Sequence, residues 1–219
     1  MTMHFRDRTE AGQLLAQRLM GYAQRPGVLV LALPRGGVPV AYEVARALNA
    51  PLDVFVVRKL GVPGHEELAM GAVASCGARV LNPSVVEALR IPDSVIEQVA
   101  AQEFEELARR ERTYRDNRPP PEVAGRTIIL VDDGIATGAT MRAAVAALRQ
   151  MGAGSIVVAT PTVALSTLRE MRPEVDDFVA VMTPADFMGV GQWYQDFSQT
   201  TDDEVRELLS GRAPSLTRA

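Results

Sequence analysis

Short unbroken apolar runs alternate along this chain with longer segments whose apolar positions recur every three or four residues, which predicts strands and helices in turn. Residues 9–23 place Leu14, Leu15, Leu19 and Tyr22 on one face of a helix, with Thr9 as its N-cap. The runs at 28–33, 53–57, 127–131, 155–160 and 177–182 are short and rich in apolar residues, as expected of strands covered on both faces of a parallel sheet. Helices are predicted over 38–48, 141–151, 164–171 and 202–209, with a longer one from Pro92 to about Arg115. In that long helix Ile96, Ala100, Phe104 and Leu107 form the apolar stripe, and Glu103, Glu106, Arg109 and Arg110 read as a solvated face. Residues 60–70, LGVPGHEELAM, hold two glycines and a proline without a sustained period and read as a mobile loop. Short strands are expected around 72–75 and 79–81, and the stretch 117–122, with three consecutive prolines, reads as a stiff connector.

Strands alternating with helices indicate the α/β class, with a mainly parallel central sheet flanked by helices. Ligands of such sheets bind beyond the carboxyl ends of the strands. No internal repeat is visible, and 219 residues with 47% hydrophobic content suffice for one domain with its own core. A net charge of −4, from 23 basic against 27 acidic residues, gives no general attraction to nucleic acid or an anionic membrane. Cys76 stands alone and is read as a small buried or half-buried residue; one cysteine with two histidines makes neither an internal disulfide nor a standard zinc site. The opening MTMHFRDRTEAG is charged, and no apolar run approaches membrane length, so the expected compartment is the cytoplasm.

The chemistry concentrates in residues 128–140, IILVDDGIATGAT. A buried strand runs into two carboxylates, Asp132 and Asp133, and then into a glycine- and threonine-rich turn that opens a helix. Amides at a helix N-terminus lack intrahelical acceptors and sit at the positive end of the dipole, so Ala136, Thr137, Gly138, Ala139 and Thr140 can wrap an anion. Carboxylates repel phosphate, so the acidic pair must serve another part of the ligand. Sugar hydroxyls and the hydration shell of Mg²⁺ are natural partners for groups that only accept hydrogen bonds. A ribose 5-phosphate with bound metal suits both ends; the alternative is that the aspartates only begin a solvated turn. No Walker lysine follows the second glycine, and no G-x-G-x-x-G follows a strand, which sets aside nucleoside-triphosphate and dinucleotide loops.

The stretch closely resembles the phosphoribosyl-pyrophosphate (PRPP) signature of type I phosphoribosyltransferases: four apolar residues, two acids, a variable pair, a small residue, Thr-Gly, any residue and Ser or Thr. Three further segments are similar to loops of that family. Pro34-Arg35-Gly36-Gly37 resembles its pyrophosphate loop, in which a strained peptide precedes paired glycines; carried over, this predicts a non-proline cis peptide between Pro34 and Arg35. Arg58-Lys59 resembles the basic strand end of orotate-type enzymes, expected to face the site, and His65 lies in what would be their flexible loop, although the loop lysine is missing and Glu66 and Glu67 stand beside the histidine. Residues 185–197 concentrate Phe187, Trp193, Tyr194 and Phe197 and look like the family's hood over the nucleobase. There Phe187, Val190, Trp193 and Tyr194 would bind the base by stacking and through nearby backbone, while packing against a helix or a second subunit is the alternative. The Phe-x-x-Val-Gly order is similar to that of 6-oxopurine enzymes, but the spacing differs and leaves the base open.

The resemblance implies one phosphoribosyltransferase domain over residues 1–219, with a core of about 9–183 and a small C-terminal hood of about 184–200 followed by a helix. It implies transfer of ribose 5-phosphate from PRPP to a nucleobase with release of pyrophosphate. Asp132, Asp133, Arg35, Lys59 and His65 would be the catalytic groups, and Arg35, Gly36, Gly37, Arg58 and Lys59 would bind pyrophosphate. Mg²⁺ would be held mainly by PRPP, with Asp132 and Asp133 near it through water, in a homodimer. A PRPP-sensing regulator without turnover is the main alternative. A sugar-phosphate phosphohydrolase is disfavoured by adjacent rather than alternate aspartates and by the lack of a nucleophile.

Overall fold

The computed structural model describes residues 4–115 and 119–211, and the backbone alone of Glu66 and Glu67. Five parallel strands form the main sheet, in the order β2-β1-β6-β7-β8: β1 (Val28–Ala32), β2 (Leu52–Val54), β6 (Thr127–Val131), β7 (Ser155–Thr162) and β8 (Asp177–Met182). Its strands lack polar alternation because both faces are covered. Val30, Ile129 and Val157 point into a core with α1 (Arg8–Leu19) and α2 (Gly37–Leu48), while Leu31, Leu130 and Val158 point to the opposite core with α5 (Ala139–Gln150). The helix α7 (Asp202–Leu209) closes the first core through Val205 and Leu208.

The first helix is capped two residues earlier than its apolar spacing suggests. Asp7, rather than Thr9, is the N-cap and accepts from the Glu10 amide at 2.8 Å; after Leu19 the chain tightens into a single 3₁₀ turn. The run at 53–57 is not one strand. The parallel strand ends at Val54, Phe55 and Val56 cross over buried, and the chain enters β3 (Val57–Val62) of a second sheet.

That second sheet corrects the mobile-loop reading of 60–70. β3 pairs antiparallel with β4 (His65–Ala74), which pairs with β5 (Ala78–Leu81). Pro63 and Gly64, the latter at φ +79°, make the hairpin turn, and register shifts on either side of Gly61 absorb the other glycine. Leu60 and Met70 anchor the hairpin in the core, fully buried. It packs between α5 and α4 (Asp93–Arg115), whose Ile96, Ala100 and Leu107 are buried as the stripe predicts. A short helix, α3 (Pro83–Ala88), lacks an apolar period long enough to be read in advance. Cys76 is exposed at φ +65°, against the expectation of a buried or half-buried residue. The connector expected over 117–122 lies partly outside the described residues, and no helix among those described is long and apolar enough to cross a membrane.

After β8 the chain runs beside the start of α6 (Leu165–Met171), where the Leu165 amide donates to Pro184 O at 3.3 Å, and then forms a 3₁₀ segment, Val190–Trp193. It goes on to pair with the N-terminal segment: the Phe5 amide donates to Trp193 O at 2.8 Å and the Gln195 amide to Phe5 O at 2.8 Å.

Candidate active site

β1 and β6 are neighbours, so the loops leaving their carboxyl ends lie side by side. Leu33 extends the pairing by donating its amide to Val131 O at 2.9 Å, and the Pro34–Arg35 peptide that follows is cis, as expected. The two glycines mark where the loops touch. A Cβ on Gly37 would lie 2.8 Å from Val131 O, and one on Gly36 only 2.0 Å from Asp133 Oδ2. Their first role is therefore to let the backbone approach the acidic pair, not only a ligand.

The adjacent aspartates have different surroundings. Asp133 is buried, at 8% exposure; its Oδ2 accepts from Arg8 Nε at 2.8 Å and its carbonyl from the Tyr194 hydroxyl at 2.6 Å. Asp132 lines a cleft of about 200 Å³ with Gly134, Thr137, Thr140 and Val190. Burial pushes the Asp132 carboxyl well above the usual range, and the neighbouring Asp133 charge adds to this. Burial also raises Asp133, against the opposing pull of Arg8.

The floor of that cleft is an uncapped helix start. Gly138, at φ +76°, is the N-cap of α5 and offers no side chain to its first amides. Among the described residues the amides of Ala136, Thr137, Gly138 and Thr140 have no protein acceptor. The loop is held from behind by Thr167 Oγ1, which donates to Ala136 O at 2.5 Å, and by Arg142, which donates to Thr137 O at 3.2 Å and pairs with Glu170 and Glu174. An anion would meet several unspent donors in a fixed frame.

The basic residues are dispersed. Arg35 lies 3.5 Å from Asp202 at the start of α7, which also accepts from Tyr114 at 3.2 Å. Arg58 turns away from the expected site and pairs with Glu103 of α4 at 2.6 Å, a correction that follows from alternation along β3. Lys59 therefore takes the other face, exposed, in a second cleft of about 330 Å³ shared with Ala139 and Arg142. His65 is exposed beside the hairpin turn, paired through its backbone with Val62, and no described contact brings it to the acidic pair.

The hood aromatics need a larger correction. Trp193 and Tyr194 are each only 6% exposed and form a small core with Phe5 and Ala11, so neither offers a free face to a base. His4 stacks on Trp193 at 6.0 Å and Phe187 tilts against it at 6.1 Å. Val190 does reach the site: a Cβ on Gly134 would lie 2.3 Å from its Cγ1.

Residues 8–187 match the phosphoribosyl transferase domain family. The chain belongs to that family. Over 207 residues this phosphoribosyl transferase domain is 48% identical to a Mycobacterium tuberculosis (strain H37Rv) protein described as a candidate phosphoribosyl transferase, covering 94% of the present chain and 46% of that relative. It thus spans about half the length of the curated relatives it matches so strongly. A uracil phosphoribosyltransferase of Enterococcus faecalis is 28% identical over 154 residues, 65% of this chain and 69% of that one. The crystal structure of TT1426 from Thermus thermophilus superposes with a TM-score of 0.86 at 42% identity, covering 97% of this chain and 100% of that one. The parallel five-stranded sheet flanked by helices is the type I phosphoribosyltransferase architecture.

Within this phosphoribosyl transferase domain, sequence reading missed Arg8 and Thr167, whose partners lie 125 and 31 residues away. The apolar spacing puts the cap of α1 at Thr9 rather than Asp7, and no local pattern signals the role of Arg8. For a divalent cation, the described residues contain no cluster of three or more histidine, cysteine or acidic ligands. The acidic pair beside an anion cradle suits a hydrated Mg²⁺ carried mainly by a polyphosphate ligand.

Proposed function

We propose that this domain is a Mg²⁺-dependent phosphoribosyltransferase that uses PRPP and a nucleobase. The supporting observation is the row of unpartnered amides at Ala136, Thr137, Gly138 and Thr140 beside the cleft-facing Asp132, with the paired-glycine loop abutting the acidic pair. The first feature suits a 5-phosphate, the second the ribose hydroxyls, and the third the pyrophosphate. The name of the Enterococcus relative supports a base as acceptor.

In this reading the C1–oxygen bond to pyrophosphate breaks as a ring nitrogen of the base bonds to C1, and the nitrogen's proton leaves to solvent. Bound with PRPP, Mg²⁺ supplies charge neutralisation for the leaving group. The residue 136–140 amides fix the 5-phosphate and so orient C1, remote binding energy spent on positioning. Arg35 exchanges Asp202 for a pyrophosphate oxygen, and Lys59 adds charge from the hairpin sheet. Val190, seated over Gly134, bounds the cleft on the side where the base would enter.

A PRPP sensor is the second reading, favoured by one observation: the donor side is built, whereas Trp193 and Tyr194 are buried and His65 is remote. Calorimetry with PRPP and Mg²⁺ on wild type and Asp132→Asn, followed by pyrophosphate release over a panel of bases, separates the two. Binding lost in the variant, with release driven by one base, supports the transferase. Binding without release supports the sensor, and a wild type that binds no PRPP sinks both.

A further inference from the structure

We propose that Arg8 is a positioning residue of this site and that Asp132 alone of the two adjacent carboxylates meets the ribose hydroxyls, a reading that rests on the proposed use of PRPP. Asp133 is buried and held at one carboxylate oxygen and at its carbonyl. Its Oδ2 takes Arg8 Nε at 2.8 Å, the same atom lies under Gly36, and its carbonyl takes Tyr194. Both side chains of the Arg8–Asp133 pair are only 12% exposed. Asp132, not Asp133, lines the cleft over residues 136–140. Its Oδ1 accepts from the Asp133 amide at 2.9 Å, and no donor among the described residues reaches its Oδ2. Asp132 thus brings an open carboxylate oxygen to the cleft, whereas Asp133 is buried outside its lining and spends one oxygen on the frame.

Arg8 supplies that frame with more than charge. Its Nη1 donates to Ser198 O at 2.6 Å, and its guanidinium lies 4.1 Å from the centre of the Phe197 ring. One planar group therefore joins the start of α1, the acidic loop and the C-terminal end of the hood. A planar fork suits several fixed acceptors at once, which a lysine ammonium matches only in charge. Without Arg8, a buried carboxylate under the pyrophosphate loop has no cation, and it swings towards the cleft, where it repels the phosphates of PRPP.

The test compares calorimetric affinities for Mg²⁺-PRPP and for inorganic phosphate in Asp132→Asn, Asp133→Asn, Arg8→Gln and Arg8→Lys, each confirmed folded by circular dichroism. Asp132→Asn should weaken PRPP by about 10- to 100-fold, the range of a hydrogen bond to a charged group. Asp133→Asn, whose amide oxygen still accepts from Arg8, should cost only a few-fold. Arg8→Gln should weaken PRPP by about tenfold while phosphate affinity at residues 136–140 holds, and Arg8→Lys should recover part of the loss. A purely structural Arg8 would lower both affinities together. That result, an unchanged PRPP affinity in Arg8→Gln, or an Asp133→Asn loss equal to that of Asp132→Asn overturns the proposal. A wild type that binds no PRPP overturns the proposed function and with it the role of Asp132. The positioning by Arg8 is then decided in the free protein by amide exchange across residues 133–140, accelerated in Arg8→Gln if Arg8 holds the loop and unchanged if it does not.

Discussion

Thr167, in the first turn of α6, donates its hydroxyl to the carbonyl of Ala136 at 2.5 Å, and so fixes the anion loop from the side opposite its open amides. Thr167→Val keeps the shape and removes the donor, leaving a loop carbonyl unpaired. The variant should lose about 1 kcal/mol of stability in urea unfolding. It should also bind PRPP several-fold more weakly. An unchanged PRPP affinity would mean that the loop holds its shape without this bond.

Two glycine substitutions should behave oppositely. Gly36→Ala drives a methyl to within 2.0 Å of Asp133 Oδ2, so either the loop or the acid must move, at a cost of about 1–3 kcal/mol and with loss of pyrophosphate release. Gly21→Ala meets nothing within 4 Å and should be neutral or stabilising by up to about 1 kcal/mol. Thermal melting of both, with activity measured alongside, checks the contrast.

Asp132 should make the protein less stable at neutral pH. Its carboxyl is raised by burial and by Asp133, so between its unfolded value, near 3.8, and its higher folded value the native state binds more protons than the unfolded chain. Stability from this group therefore falls as pH rises through that window. Asp132→Asn removes the penalty: it should be at least as stable as wild type at neutral pH and gain nothing below pH 3.8. Urea unfolding of both proteins across pH decides the matter, and a variant destabilised at neutral pH but not in acid would contradict the assignment.

Trp193 is the chain's only tryptophan and is 6% exposed, so its emission reports on the hood alone. Emission should be blue-shifted and resistant to iodide quenching, and nucleobases added with PRPP should not produce the strong quenching of a base stacked on the ring. Strong quenching by a base would restore Trp193 to the acceptor site.

The five parallel strands were readable because burial on both faces leaves continuous apolar runs, as in residues 128–131. The strand-turn-helix of residues 128–140 was readable because its glycines and threonines punctuate an apolar run and a helical period. The hairpin was not: Pro63 and Gly64 make its turn and Gly61 its irregularity, so the same residues that suggested a loop are strand punctuation. Arg58 misled for a related reason, since alternation along a strand sends it to Glu103 while Lys59 faces the other way. The hood was misread because the partners of Trp193 and Tyr194 are His4 and Phe5, at the far end of the chain. Composition near residue 193 suggests a stacking surface; only the fold supplies the rings that already fill it.

The division into two sheets means that the second cleft is walled by elements with no shared ladder. Among the described residues no strand of the β3-β4-β5 sheet joins the ladder of the parallel sheet, yet Lys59 rides on the former and the anion loop extends from the latter. The cleft beside Lys59 is lined by Ala69, Gly71 and Ala72 of that sheet and by Ala139, Ala143 and Ala146 of α5, with the larger Val80, Leu81 and Arg142 at its edges. Lys59 is therefore held at the cleft by a paired hairpin that Leu60 and Met70 anchor in the core, where an unpaired loop would first have to be ordered.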